Sequence, residues 1–215
     1  MQRHIPHCKQ QRTSLKTRLL TNNTPLSPRQ QKTRLAFMSA LLRLVIARGL
    51  DRITVTDIAD EANYGRWAFY QYFESKEDAA WATFVYWMKQ LDAHLINAVQ
   101  HLESPYREYE SWRLIFQAFY QQKHFFMRLD STLMSLWRTR AKEFLVQQFL
   151  GHLRSGHFRL MEGVRPEIAA RLYVVAIMEL LEHWGRTPEL GDTQSLVDEF
   201  FVFIFNQPPP KSPYK

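Results

Sequence analysis

The chain has 215 residues, 46% of them apolar, which is enough to bury one or two compact cores, and its seven glycines and ten prolines exclude a collagen-like or wholly disordered chain. Charges interrupt every apolar stretch before it reaches the roughly 18–20 residues that cross a bilayer, and the single Cys8 cannot close an internal disulfide, so a soluble, cytoplasmic protein with no membrane partner is expected. The net charge of +7 is unevenly placed: residues 1–50 carry ten Lys/Arg and no acid, residues 51–80 carry −4 and the remainder +1.

Residues 1–26 show no sustained hydrophobic period and end in the turn formers Thr21 to Pro25, as a flexible basic arm would. A one-signed segment attracts a polyanion, of which nucleic acid is the commonest. A solvated tail and an organellar transit peptide stay open for this segment.

Structure is expected from Ser27. Ser27, Pro28 and Gln30 form a capping signal, and Leu35, Met38, Leu41, Leu42, Val45 and Ile46 then recur at helical spacing, predicting a helix over 28–48 that Gly49 ends in the αL conformation. Thr54 and Asp57 suit a second capping box, flanked by Ile53 and Ile58 as a hydrophobic staple. The short helix they open must stop at Asn63, one of the few residues that tolerates positive φ.

Gly65 to Phe73 follows as a third element, with Gly65 as cap and Tyr64 and Phe69 as its staple. Phe69 and Phe73, four apart, point inward and leave Arg66, Trp67, Tyr70 and Gln71 outside. Two short helices joined by a tight turn, the second with an exposed polar-aromatic face, have the anatomy of a helix-turn-helix. Ser75 and Asp78 open a long fourth helix to about 102, closed by Ser104-Pro105. Further helices are predicted at about 106–122, 125–138, 141–154, 166–185 and 193–206, before a polyproline-like tail at 208–215.

Residues 35–79 resemble the DNA-binding domain of the TetR/AcrR regulators. Four blocks carry the likeness in order: Gly49; Thr54-Val55-Thr56-Asp57-Ile58-Ala59; Arg66 to Phe73; and Glu74-Ser75-Lys76-Glu77-Asp78. Asn63 stands where that family has a turn glycine, Gly65 where it has a serine cap, and bulky Trp67 where a small residue is frequent. The resemblance implies an all-α fold with an N-terminal three-helix helix-turn-helix domain over 27–74 and a C-terminal helical bundle over 75–207 for ligand binding and dimerisation.

It also implies double-stranded operator DNA as partner, and a sequence-specific transcription regulator rather than an enzyme. The leading expectation is a repressor released by a small-molecule effector; the alternative is an architectural or division-coupled DNA-binding protein on the same scaffold with no inducer. Arg66 is assigned to a base edge or phosphate, Gln71 to a base edge, Tyr70 and Tyr72 to phosphates, Thr54 and Lys76 to the flanking backbone, and Trp67 to a thymine methyl or sugar, with Tyr64 beside them. Homodimerisation is expected through the last two long helices, where Leu172, Val175, Ala176, Met178, Glu179, Leu180, His183, Leu196, Phe200, Phe203 and Ile204 are candidates for a dimer face or for intramolecular core.

Residues 81–137 are dense in large aromatics, and Trp87, Trp112, Phe116, Phe119, Tyr120 and Trp137 are candidates to line a pocket for an apolar or aromatic effector, with plain core as the alternative. His124, His152, His157 and His183 have no metal-ligand spacing, and no catalytic triad order or phosphate-binding glycine loop is present, so neither metal nor cofactor is expected.

Overall fold

The computed structural model describes residues 26–127, 131–160, 163–187 and 192–211. All but the last residue of the expected basic arm, Cys8 included, lies outside the described residues, as does the tail from Ser212. Every regular element among the described residues is a helix: α1 Pro28–Arg48, α2 Val55–Glu61, α3 Arg66–Tyr70, α4 Lys76–Val99, α5 Tyr106–Gln121, α6 Lys123–Met127, α7 Ser131–Arg154, α8 Pro166–Arg186 and α9 Thr193–Phe205.

The starts of the first helices follow from their caps. The Ser27 hydroxyl accepts from the Gln30 amide at 3.3 Å while the Gln30 side chain accepts from the Ser27 amide at 2.9 Å, so two of the donors that a helix start leaves free are satisfied reciprocally. Thr54 and Asp57 repeat the device at α2, and Ser75 accepts from the Asp78 amide at α4. Asn63 takes φ 58° and turns the chain between α2 and α3. Gly49 has positive φ, but its φ 87° and ψ 151° are not the αL geometry that was expected. The chain leaves α1 extended towards Leu50, in a region that a side chain would make costly, with the Gly49 amide still bonded to the Val45 carbonyl.

Three boundaries differ from the sequence pattern. The third element is helical only over Arg66–Tyr70, and its last residues pass through a tight turn in which the Tyr72 amide meets the Phe69 carbonyl at 2.9 Å. The fourth helix stops at Val99, short of 102. The break expected between 138 and 141 is absent, because Arg138-Thr139-Arg140-Ala141 holds neither glycine nor proline and α7 runs through it.

Two apolar clusters organise the molecule. The first joins α1 to α4: Phe37, Leu41, Val45, Leu50, Ile53, Ile58, Phe69, Phe73 and Ala80 are buried together, with Phe125 and Trp137 completing it from α6 and α7. The second joins α5, α7, α8 and α9 around Trp112, Phe116, Val146, Tyr173, Phe200 and Phe201. Burial of each large side chain contributes about 1.5–3 kcal/mol, so the first cluster holds three very short or capped segments that would not be helical alone. Helix α4 runs from the first cluster towards α5, and the Asp92 carboxylate meets the His152 ring of α7 at 2.5 Å. Among the described residues no helix is long and apolar enough to cross a membrane.

Candidate nucleic-acid interface

The site is built on α3, and its geometry starts from two anchors. Phe69 is completely buried and Phe73 is 1% exposed. Phe69 packs edge-on against Phe37 of α1 at 5.5 Å and lies 5.3 Å from Phe73, so the inner side of the α3 turn is clamped to α1. Since α-helical residues point in directions 100° apart, fixing Phe69 inward sends its neighbours outward. Trp67 is 77% exposed and Tyr70 44%, Arg66 and Tyr64 are exposed, and Gln71 and Tyr72 are half-buried.

The ridge is not uniformly loose. Tyr64 rests on Phe37 at 5.3 Å, with the Thr33 hydroxyl 3.5 Å from its own hydroxyl, and Tyr70 stands edge-on to Phe69 at 5.6 Å. Tyr72 leans on Phe37 and Phe73. The aromatic bodies of Tyr64, Tyr70 and Tyr72 are therefore braced by the core, an arrangement that preorganises contacts. Trp67 has no such brace among the ring contacts described and projects most.

Thr54 is exposed at the start of α2, but its hydroxyl and amide are both committed to the Asp57 carboxylate, at 2.5 and 2.7 Å. Those bonds and the Arg48 guanidinium hold the Asp57 carboxyl below the usual carboxylate range. Lys76 sits elsewhere than a free clamp would. Its ammonium donates to the carbonyls of Leu50 at 2.8 Å, Ile53 at 2.9 Å and Asp51 at 3.4 Å, tying the start of α4 to the turn between α1 and α2. Three donors meet three acceptors, so this lysine supports the shape of the head.

The first turn of α1 holds no acid, and Arg29 and Lys32 are exposed there, close in sequence to Thr33 and its contact with Tyr64. Helical spacing within α1 does not reveal this placement, which depends on how α1 crosses the turn before α3. Arg34 is occupied differently: it lies over the Phe73 ring at 5.6 Å, and burial pulls its guanidinium down against the opposing charge of Asp78.

The six residues named for an effector pocket do not converge on one place. Trp137 stands edge-on to Trp81 in the first cluster at 5.6 Å; Trp112 and Phe116 are buried in the second; Trp87 and Phe119 meet at 5.0 Å between α4 and α5; and Tyr120, 45% exposed, stacks on Trp184 at 5.0 Å. Helix α5 touches α4 on one side and α9 on another, so aromatics spaced along it are distributed among different neighbours. Among the described residues no group of three or more His, Cys, Asp and Glu is placed to hold a metal ion.

A braced, solvent-facing turn of helix on a three-helix head, followed by a helical body, defines a helix-turn-helix protein of the all-α class. Residues 37–79 match the model of the bacterial regulatory proteins of the tetR family. Solved structures extend the likeness in fold to the body. NalD, the secondary repressor of the MexAB-OprM multidrug efflux pump in Pseudomonas aeruginosa, is 21% identical over 84% of this chain and 97% of its own, with a TM-score of 0.57. A putative TetR-family transcriptional regulator from Syntrophomonas wolfei is 18% identical over 82% and 94%, with a TM-score of 0.64. The regulator FadR from Bacillus subtilis, in complex with stearoyl-CoA, is 17% identical over 79% and 96%, with a TM-score of 0.55. The sequence finds no match among curated proteins.

Proposed function

We propose that the protein is a sequence-specific repressor that binds operator DNA as a homodimer in the cytoplasm and is released by a small-molecule effector. The observation that carries the DNA reading is the pairing of buried Phe69 and Phe73 with exposed Arg66, Trp67 and Tyr70 on one turn of helix. A helix end of this width enters the major groove, where Arg66 reaches a base edge or phosphate, Gln71 a base edge, Trp67 a thymine methyl or sugar, and Tyr70 and Tyr72 phosphates with Tyr64 beside them, while Thr54 meets the flanking backbone when its hydroxyl turns from Asp57. Lys76 acts from behind, by holding the turn that orients α2. The head corresponds to residues 27–74 and the body to 75–207.

One head buries too little surface to select a genomic site, so two are needed, about 34–36 Å apart along the duplex. Support for pairing comes from α8 and α9. Leu196 and Phe200 are buried within the chain, whereas Ile168, Leu172 and Val175 on α8 and Val202 and Phe203 on α9 are exposed, Phe203 by 77%. Exposed apolar side chains at i, i+4 and i+7 form a stripe of the kind that a second subunit covers. Release by an effector is supported by what the neighbours in fold do: NalD is a repressor of an efflux pump, and FadR holds stearoyl-CoA.

The test is gel retardation of the native upstream DNA by the full-length protein across a salt series. Retardation that weakens with salt, disappears in Arg66→Ala and reverses with an added compound is expected. Retardation unaffected by Arg66→Ala and Tyr70→Phe together would remove α3 as the reading element. Binding that no compound reverses would favour an architectural protein on this scaffold.

A further inference from the structure

At the second cluster and the adjoining start of α5, four buried polar atoms have no hydrogen-bond partner among the described residues. Glu108 is 1% exposed and sits at the start of α5. Its Oε1 accepts from the Arg159 amide at 3.1 Å and the Arg107 guanidinium at 3.3 Å, but its Oε2 has no hydrogen-bond partner among the described residues. The same holds for the Trp112 indole N–H, the Tyr173 hydroxyl and the Arg107 Nε. These groups are neighbours. Trp112 lies four residues beyond Glu108, hence on the same face of α5; its ring is 6.1 Å from that of Tyr173. Burial, then the charge of the Glu108 carboxylate, pushes the Tyr173 phenol up.

An unpaired buried carboxylate oxygen costs more than a neutral group in the same state, and the unpaired donors of Arg107, Trp112 and Tyr173 add to the penalty. Native proteins fill such places with water or a ligand. Here the surroundings are flat rings: Phe149 stacks on Trp112 at 5.5 Å and Phe158 tilts against it at 5.7 Å, both only half-buried. Oε2 requires a donor, while the indole N–H requires an acceptor, and the phenol accepts either role.

We propose that Glu108, Trp112 and Tyr173 are the polar end of an effector site that takes a flat aromatic heterocycle presenting an N–H donor beside a ring acceptor, such as an amino-substituted azole. The N–H bonds Glu108, the ring nitrogen accepts from Trp112, and the ring lies among Phe149 and Phe158. As an effector site it rests on the regulator reading; as a binding site it does not.

The test is titration calorimetry of the full-length protein with 2-aminobenzimidazole, with 1-methylbenzimidazole and benzoate as the donor-free and anionic comparisons. Saturable binding of the amine, weaker binding of the other two, and a loss of about tenfold or more in Glu108→Gln are expected. Tyr173→Phe, which keeps the ring and deletes one polar atom, and Trp112→Phe, which removes the indole N–H together with part of the ring, should each weaken binding if the site is as described, and they serve should Glu108→Gln fold poorly. Equal binding of all three compounds, or of the amine to native and variant proteins, overturns the site. So does absence of any binding together with an unchanged or raised melting temperature in Glu108→Gln, which marks a water-filled structural cluster. Retardation assays separate the two readings: Glu108-dependent binding that leaves DNA bound supports the site and fails the effector role. DNA release by a compound indifferent to Glu108→Gln supports the effector reading and overturns this site.

Discussion

Trp67 and Phe69 are two residues apart and have opposite consequences. Phe69→Ala removes a completely buried ring from a close-packed cluster, so about 3–5 kcal/mol of stability should be lost, read as a drop in the midpoint of denaturant unfolding. Trp67→Ala removes a side chain that is 77% exposed; the midpoint should stay within about 0.5 kcal/mol while retardation of operator DNA weakens. A midpoint lowered as much as in Phe69→Ala would show Trp67 packed against the protein instead. Asp57 gives a pH-dependent case. Its folded pKa is depressed, so its contribution is complete above the unfolded value near 3.9 and is lost as pH falls through the folded value. Native protein and Asp57→Asn should therefore differ in melting temperature at pH 7 and converge as the pH falls through the depressed folded value. A constant difference across that range would mean the ionised carboxylate is not what caps α2.

At the scale of elements, the head is a set of short helices held by their ends. Helices α2 and α3 have seven and five residues, below the length at which a helix persists alone, so their geometry depends on caps and on α1. Lys76 illustrates this: Lys76→Ala leaves the carbonyls of Leu50 and Ile53 without their partner and should cost about 1–3 kcal/mol, with hydrogen exchange rising first in the 50–61 segment. If Lys76→Ala instead lowers the salt dependence of DNA binding and leaves exchange unchanged, the lysine is a phosphate contact. The exposed ion pairs Arg43–Glu61 and Arg48–Asp57 join α2 to α1, but pairs so open to solvent add little.

For the whole molecule, the decisive surface is the stripe on α8 and α9. Leu172→Asp together with Phe203→Glu places charge where a second subunit would bury apolar area, so sedimentation should shift from dimer to monomer while helical content is retained. Operator retardation should fall with it, since a single head lacks the contact area for a specific site. Dimers that persist in this double variant would place the interface elsewhere.

Much of the head was legible in the chain because its determinants are local. Ser27-Gln30, Thr54-Asp57 and Ser75-Asp78 declare helix starts within four residues, Asn63 declares the turn, and the interval between Phe69 and Phe73 orients the ridge. What required the folded molecule was every feature that depends on which helix lies beside which. The scattering of Trp87, Trp112, Phe116, Phe119, Tyr120 and Trp137 among separate contacts, the capture of Lys76 by the carbonyls of a distant turn, the division of the α8 and α9 stripes into buried and exposed halves, and the unpaired Oε2 of Glu108 are of this kind. Capping and periodicity act over one or two turns of chain, whereas packing partners are chosen by non-local burial, which helical spacing leaves undetermined.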